Sequence, residues 1–205
     1  GGVATFNGAA STGTLNLSGG TVTGSGDLSV TTDFNRSGGT LGTTFSDLAL
    51  NKIGNFTVGA SGFTAADSVR LVATGDIILN GPITASGGTG DAIILAAGGN
   101  LINNVGSAVL SPGSGRWLAY STSPAGSTEY GLTGVADPAA PRLYGRSYSA
   151  NPPATISESG SHLIYSSQPS LTVTADNKSK TYGGTDPVLT YTISGFVNDD
   201  GLLDT

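Results

Sequence analysis

Asp27, Asp76 and Asn100 stand at one kind of place in this chain. Each follows glycine and precedes an aliphatic residue: Gly26-Asp27-Leu28, Gly75-Asp76-Ile77 and Gly99-Asn100-Leu101, with Gly54-Asn55-Phe56 as a fourth copy. A column of acids on one open surface suits two chemistries. Two carboxylates at the right separation hydrolyse a glycosidic bond. Carboxylates can also hold calcium, beside which an arginine acts as base. The plainer reading is that Asp and Asn after glycine suit a turn, hydrogen-bonding to nearby backbone. Glutamate is scarce, with only Glu129 and Glu158, both outside the repeating part of the chain.

Other reactive groups are few. His162 is the only histidine and Cys is absent. One imidazole makes no zinc site, and no nucleophile elbow accompanies it; His162 is expected as a partly exposed strand residue. The stretch "SGGTVTGSGD" has the glycines of a phosphate loop, but neither a lysine nor a following helix. The glycine-rich nonapeptide calcium repeat is missing. The acidic run "NDDGLLD", residues 198–204, lacks the spacing of a calcium loop ending in Glu and reads as a solvated turn. Asn16, Asn35, Asn55 and Asn177 open glycosylation sequons, which arise readily in a chain rich in Ser, Thr and Asn. Trp117, Tyr120, Tyr144 and Tyr148 could stack on sugar rings, but would equally serve as a cap. The sequence therefore assigns no catalytic residue, no cofactor-binding residue and no metal ligand. No cofactor is expected, and the ligand-binding residues stay unknown.

The elements that carry these residues follow from composition and rhythm. Of 205 residues, 33 are Gly, 37% are hydrophobic and 11% charged. Such a chain buries a core, unlike a disordered one, and covers it with neutral polar side chains. Absence of Met is expected of a processed or excised piece, and any secretion signal is expected upstream. No apolar run approaches a membrane span. The net charge is −6 and the eight basic residues are scattered, so nucleic acid is not expected as a partner.

Three regions are expected. Residues 1–110 hold strand-length apolar runs such as "TLNL", "VRLVA" and "AIILAA", none with a helical period. "NLSGGTV" at 16–22 returns as "NRSGGTL" at 35–41. That is a step of 19, and the Gly-Asp and Gly-Asn signals recur at steps of 28, 21 and 24, the spacing of a solenoid. About five coils fit, with their strands parallel and about 4.8 Å apart. Val22 should stack on Leu41, Asn16 on Asn35, and Leu71-Val72-Ala73 on Leu95-Ala96-Ala97. Asp27, Asp76 and Asn100 could align along one corner. Residues 111–169 lose the rhythm and read as a cap and connector, with strands at "RWLAYST" and "HLIYSS". Residues 170–205 begin a second β module, with strands at "LTVTA" and "VLTYTISGF", and that module is expected to be truncated at Thr205.

The stretch "GTLNLSGGTVTGSGDLSVTTDFNRSGGTL" resembles the coils of filamentous haemagglutinin-type adhesins of Gram-negative bacteria. "GSGRWLAYSTSP" and the "SGSHLIYSSQPS" run resemble the segment that closes those coils. Lys180-Thr181-Tyr182-Gly183, Asp186-Pro187, Leu189-Thr190-Tyr191 and Ser194-Gly195-Phe196 resemble an MBG-type β module. The resemblance implies a right-handed parallel β-helix, two-partner secretion through an outer-membrane partner, and a place outside or on the surface of a Gram-negative cell. The expected function is a rigid stalk of a secreted adhesin or biofilm-matrix fibre. Its partners would be extracellular polysaccharide, a host or neighbouring cell surface, or the protein itself. It is not expected to be an enzyme or to insert in a membrane. The alternatives are a β-helix polysaccharide-processing enzyme and a self-assembling structural fibre.

Overall fold

The structure is a computed structural model that describes residues 1–129, 132 and 142–196. Alternation along the strands decides how they stack. Ser68–Ala73 buries Val69, Leu71 and Ala73 and turns Ser68, Arg70 and Val72 outward. Beside it, Asp91–Ala97 lies parallel, with Leu95 on Leu71, Ala96 on Val72 and Ala97 on Ala73, as their sequences predict. The same pairing builds an eight-stranded parallel face. In ladder order its strands are Ala10–Leu17, Leu28–Arg36, Asp47–Lys52, Ser68–Ala73, Asp91–Ala97, Arg116–Ser121, His162–Tyr165 and Leu143–Tyr144.

Two narrower faces complete the middle coils, while a single short strand separates the long strands of the first coils. The face after the long strand contains Phe56–Val58, Ile77–Leu79 and Leu101–Asn103. The face before it contains Val3–Thr5, Thr21–Thr23 and Thr40–Leu41, and later Phe63–Ala65, Ile83–Ala85 and Leu110–Ser111. The whole is an all-β parallel solenoid of about seven turns, and the five long strands of residues 1–110 match the expected coil number. Two 3₁₀ turns, Ser107–Val109 and Pro153–Thr155, are the helical segments among the described residues. No helix is long and apolar enough to cross a membrane among them.

The core consists of columns one residue wide. Val30, Leu50, Leu71, Leu95, Ala119 and Leu163 follow one another in register, all essentially buried. Each large aliphatic member contributes about 1.5–3 kcal/mol by leaving water. At the corner between faces, Phe34 stacks on Phe56 at 6.0 Å, and Phe63 meets both rings edge-on. The repeated heptapeptide behaves as read. Val22 pairs with Leu41, both are buried, and Asn16 pairs with Asn35. Gly20 and Gly39 take positive φ of 75° and 66°. A Cβ on Gly20 would lie 2.4 Å from the Gly2 carbonyl oxygen, so these glycines are corners that bring backbone against backbone.

The ladder does not stop near residue 110. Arg116–Ser121 and His162–Tyr165 extend it, in the two stretches read as strands. Partners one coil apart are separated by 19 residues at Asn16 and Asn35, 21 at Asn55 and Asp76, and 24 at Asp76 and Asn100. Trp117 and Ser161 are separated by 44. The last coil is also threaded out of order. Leu143–Tyr144 precedes His162–Tyr165 in sequence, yet the later strand lies between it and Arg116–Ser121. The ladder thus ends on a two-residue strand, which leaves a very short edge open to another strand.

Between those strands, residues 145–161 fold back as a flap over the outer side of the long face. They cover a second apolar cluster of Ala96, Leu118, Tyr120, Leu143, Ile156 and Ile164, with Tyr148 packed on it. This is why His162 is buried, at 1% exposure, where a partly exposed residue was expected. Its position on the outer side of the strand would face water without the flap. Its Nε2 lies 3.0 Å from the Ser159 carbonyl oxygen. Beyond the solenoid, Thr172–Ala175 pairs antiparallel with Tyr191–Ser194, the two strands read from sequence.

Candidate functional site

The Gly-Asp and Gly-Asn signals resolve into two different corners. Asn55, Asp76 and Asn100 form one column, just ahead of the strands that begin at Phe56, Ile77 and Leu101. Asn55 Oδ1 accepts the Asp76 N–H at 2.9 Å, and Asp76 Oδ1 accepts the Asn100 N–H at 2.7 Å. Each acceptor oxygen occupies the space where the glycine of the next coil would otherwise carry a side chain. A Cβ on Gly75 would lie 2.3 Å from Asn55 Oδ1, and one on Gly99 2.2 Å from Asp76 Oδ1. The dipeptide therefore encodes a coil-to-coil clamp. Asp27 is not in this column. It immediately precedes Leu28, which pairs with Leu48 at the start of the long face. The expected alignment of Asp27 with Asp76 fails because the two share local sequence but mark opposite ends of the long strand.

Asn16 and Asn35 also use their amides structurally. Asn35 Nδ2 donates to Asn16 Oδ1 at 3.0 Å and to Asp33 Oδ2 at 2.8 Å. Lys52 Nζ donates to Asp33 Oδ1 at 2.8 Å and to Asn35 Oδ1 at 2.6 Å. Lys52, then Asn35 and the Ile53 N–H, hold the Asp33 carboxyl down at about 2. Asn35 and Lys52 line a groove of about 290 Å³ together with Phe34 and Phe56. The Lys52 charge there is already matched by Asp33. Of the other sequons, Asn55 serves the corner clamp, and Asn177 is exposed.

At the far end a buried polar triad joins the second face to the last coil. Thr128 bridges Ile102, which places Glu129 inside a coil rather than outside the repeating part. Arg142 Nε donates to Glu129 Oε1 and Oε2 at 3.0 and 3.2 Å, and Nη2 to Oε2 at 2.6 Å. The Tyr165 hydroxyl donates to Glu129 Oε1. Burial first, and the Glu129 charge second, push the Tyr165 phenol far up. Nothing in the one-dimensional pattern links residues 36 apart across the Pro-rich stretch, so this triad escaped the sequence reading.

The flap has its own polar ties. Arg116 pairs with Asp91 and donates to the Glu158 and Ile156 carbonyl oxygens, the latter at 2.9 Å. Arg146 pairs with Glu158 at 2.6 Å, and holds that carboxyl down at about 2. Tyr120 donates its hydroxyl to the Asn151 carbonyl oxygen at 2.9 Å. Burial, then the Asp91 charge, push that phenol up to about 12.

Of the four aromatics considered for sugar stacking, Trp117 and Tyr120 are buried at 5% and 2% exposure. Tyr144 stacks on Tyr165 at 5.8 Å. Tyr148, half-buried, stands edge-on to Tyr120 at 5.3 Å and walls a second groove, of about 250 Å³, along the flap. Among the described residues, no group of three or more His, Cys, Asp and Glu side chains converges as a metal site would. The acidic run 198–204 lies outside the described residues.

No match to a curated protein or to a solved structure reaches significance. Residues 171–205 match the family model described as MBG domain (YGX type), so the solenoid leads into an MBG-type β module, the combination of an adhesin-like or structural β-helix protein.

Proposed function

We propose that this chain is part of the stalk of a secreted bacterial adhesin or matrix fibre, acting mechanically rather than by catalysis. The observation that carries the reading is the continuous parallel ladder, with a flap on its last coils and an MBG-type module beyond. Stability in such a stack is close to a sum of coil and neighbour terms, so a rod can be long without a large globular core. The finer assignment, a filamentous haemagglutinin-type protein exported by two-partner secretion to the surface of a Gram-negative cell, rests on the resemblance of its coils. Attachment is the test. Beads carrying the chain are passed over bacterial cells, epithelial cells and immobilised polysaccharides, with albumin beads as control. Retention above control supports presentation of a binding surface. No retention, together with cleavage of any polysaccharide in the panel, would replace this reading with an enzymatic one.

Self-assembly is the second reading, favoured by the module after the solenoid. Val173, Val188, Leu189 and Tyr191 are each more than half exposed on or beside a sheet that has two strands among the described residues, and a two-stranded sheet is marginally stable. Sedimentation across a hundredfold concentration range separates the readings: self-assembly requires the mean mass to rise with concentration.

A further inference from the structure

We propose that the groove beside Tyr148 binds one residue of a neutral polysaccharide. The inference names a ligand class for the attachment role above and rests on it. The groove lies on the outer side of the long face, where the flap meets the sheet. Its floor is made by small side chains, among them Ala73 and Ala97, and by Gly98, so a ring can approach the backbone. Its wall is the Tyr148 ring. That ring is fixed before any ligand arrives, packed edge-on to Tyr120, which is itself tied to Asn151. A preset aromatic face loses little freedom on binding and offers an apolar surface with a polar edge, as a sugar ring requires.

The rim is made of hydroxyls. Ser147, Ser149, Thr122 and Ser166 line it. Thr122 already donates to the Gly98 carbonyl oxygen at 3.0 Å, and Ser166 to the Thr122 carbonyl oxygen at 3.2 Å. With their protons committed, these oxygens present lone pairs, and a ligand rich in O–H donors is the complement. Among the described residues, no Asp, Glu, Lys, Arg or His lines the groove. An acidic sugar would shed water from its carboxylate without meeting a cation, against a protein of net charge −6. The ligand is therefore uncharged. At about 250 Å³ the groove falls below the roughly 300–1,000 Å³ of drug-sized sites, which fits one ring of a chain that continues into solvent.

The test titrates the whole chain with cellotetraose, maltotetraose and mannotetraose, and with tetragalacturonate as the acidic probe, by calorimetry and saturation-transfer NMR. Two variants are compared. Tyr148→Ala removes the wall, and Ser149→Trp fills the groove from an exposed rim position without touching the core. At least one neutral tetrasaccharide should saturate, and both variants should weaken it about tenfold or more. The Ser149→Trp chain should keep the wild-type circular dichroism and melting midpoint. The inference is overturned if no neutral sugar saturates, if tetragalacturonate binds more tightly, or if Ser149→Trp binds like wild type. The attachment role fails separately: if wild-type beads adhere to nothing, that role falls, whereas adhesion unchanged in both variants sinks the groove alone.

Discussion

Replacing Arg142 by methionine should loosen the end of the solenoid selectively. The Arg142 and Glu129 side chains are only 10% and 7% exposed, and Arg142 supplies the charge that faces the carboxylate. Methionine keeps much of the aliphatic stem but removes the guanidinium that faces a buried carboxylate. Removing one partner of a buried pair costs about 3–5 kcal/mol. The Tyr165 hydroxyl still donates to Glu129, which argues for the lower end. Because each coil is held by its neighbours, the loss falls on the last coil and flap. Trp117, the only tryptophan, lies in the strand that pairs with His162–Tyr165 and reports on that end. With a urea dependence of about 1–3 kcal/mol per molar, a loss near 3 kcal/mol moves the midpoint by about 1–3 M. The Trp117 fluorescence transition should move that far down and separate from the far-UV circular dichroism transition. Adding Glu129→Leu to Arg142→Met should recover most of the loss, since an apolar pair can replace a buried ionic one. A midpoint within about 0.3 M of wild type for Arg142→Met would refute the reasoning, as would a double variant weaker than either single one.

Three further outcomes are expected. Gly99→Ala places a Cβ 2.2 Å from Asp76 Oδ1 and should cost about 1–3 kcal/mol as an overpacking change; in an Asp76→Ala background the extra cost should shrink, which a chemical-denaturation cycle measures. Leu95→Ala, between Leu71 and Ala119 in the central column, should cost about 2–5 kcal/mol in the same assay, whereas Asn177→Ala at an exposed position should change the midpoint negligibly. Asp33 and Glu158 have folded pKa values of about 2, below ordinary values of 3.8 and 4.5. A depressed carboxyl favours the fold above its unfolded pKa, so this contribution should be intact above pH 5 and be lost as pH falls from there towards 2; Asp33→Asn and Glu158→Gln should each flatten the acid limb of the stability curve.

What the sequence revealed and what it hid divide along one physical line. A coil that stacks on a copy of itself repeats its own letters, so Asn16 with Asn35 and Val22 with Leu41 could be paired from spacing alone. The same logic misled at the corners. Gly26-Asp27 and Gly54-Asn55 look alike because both are tight turns entering a strand, yet they lie at opposite ends of the long face, and the step between them is not a coil length. The real steps, 19 to 24 residues within residues 1–110, vary because corner loops lengthen between the paired strands. The end of the stack escaped entirely. There the chain stops repeating, and its contacts are set by shape and charge rather than by period: Arg116 reaching the flap, Glu129 reaching Tyr165, and Ile156 covering Leu118. His162 shows the consequence in one residue. The sequence places it in a strand and leaves it partly exposed, but the flap makes the outer side of that strand dry. The groove beside Tyr148 exists for the same reason, since its wall comes from the flap and not from the repeating coils. The non-repeating segment is therefore the place where a stack of repeating coils acquires the wall on which the proposed sugar binding depends.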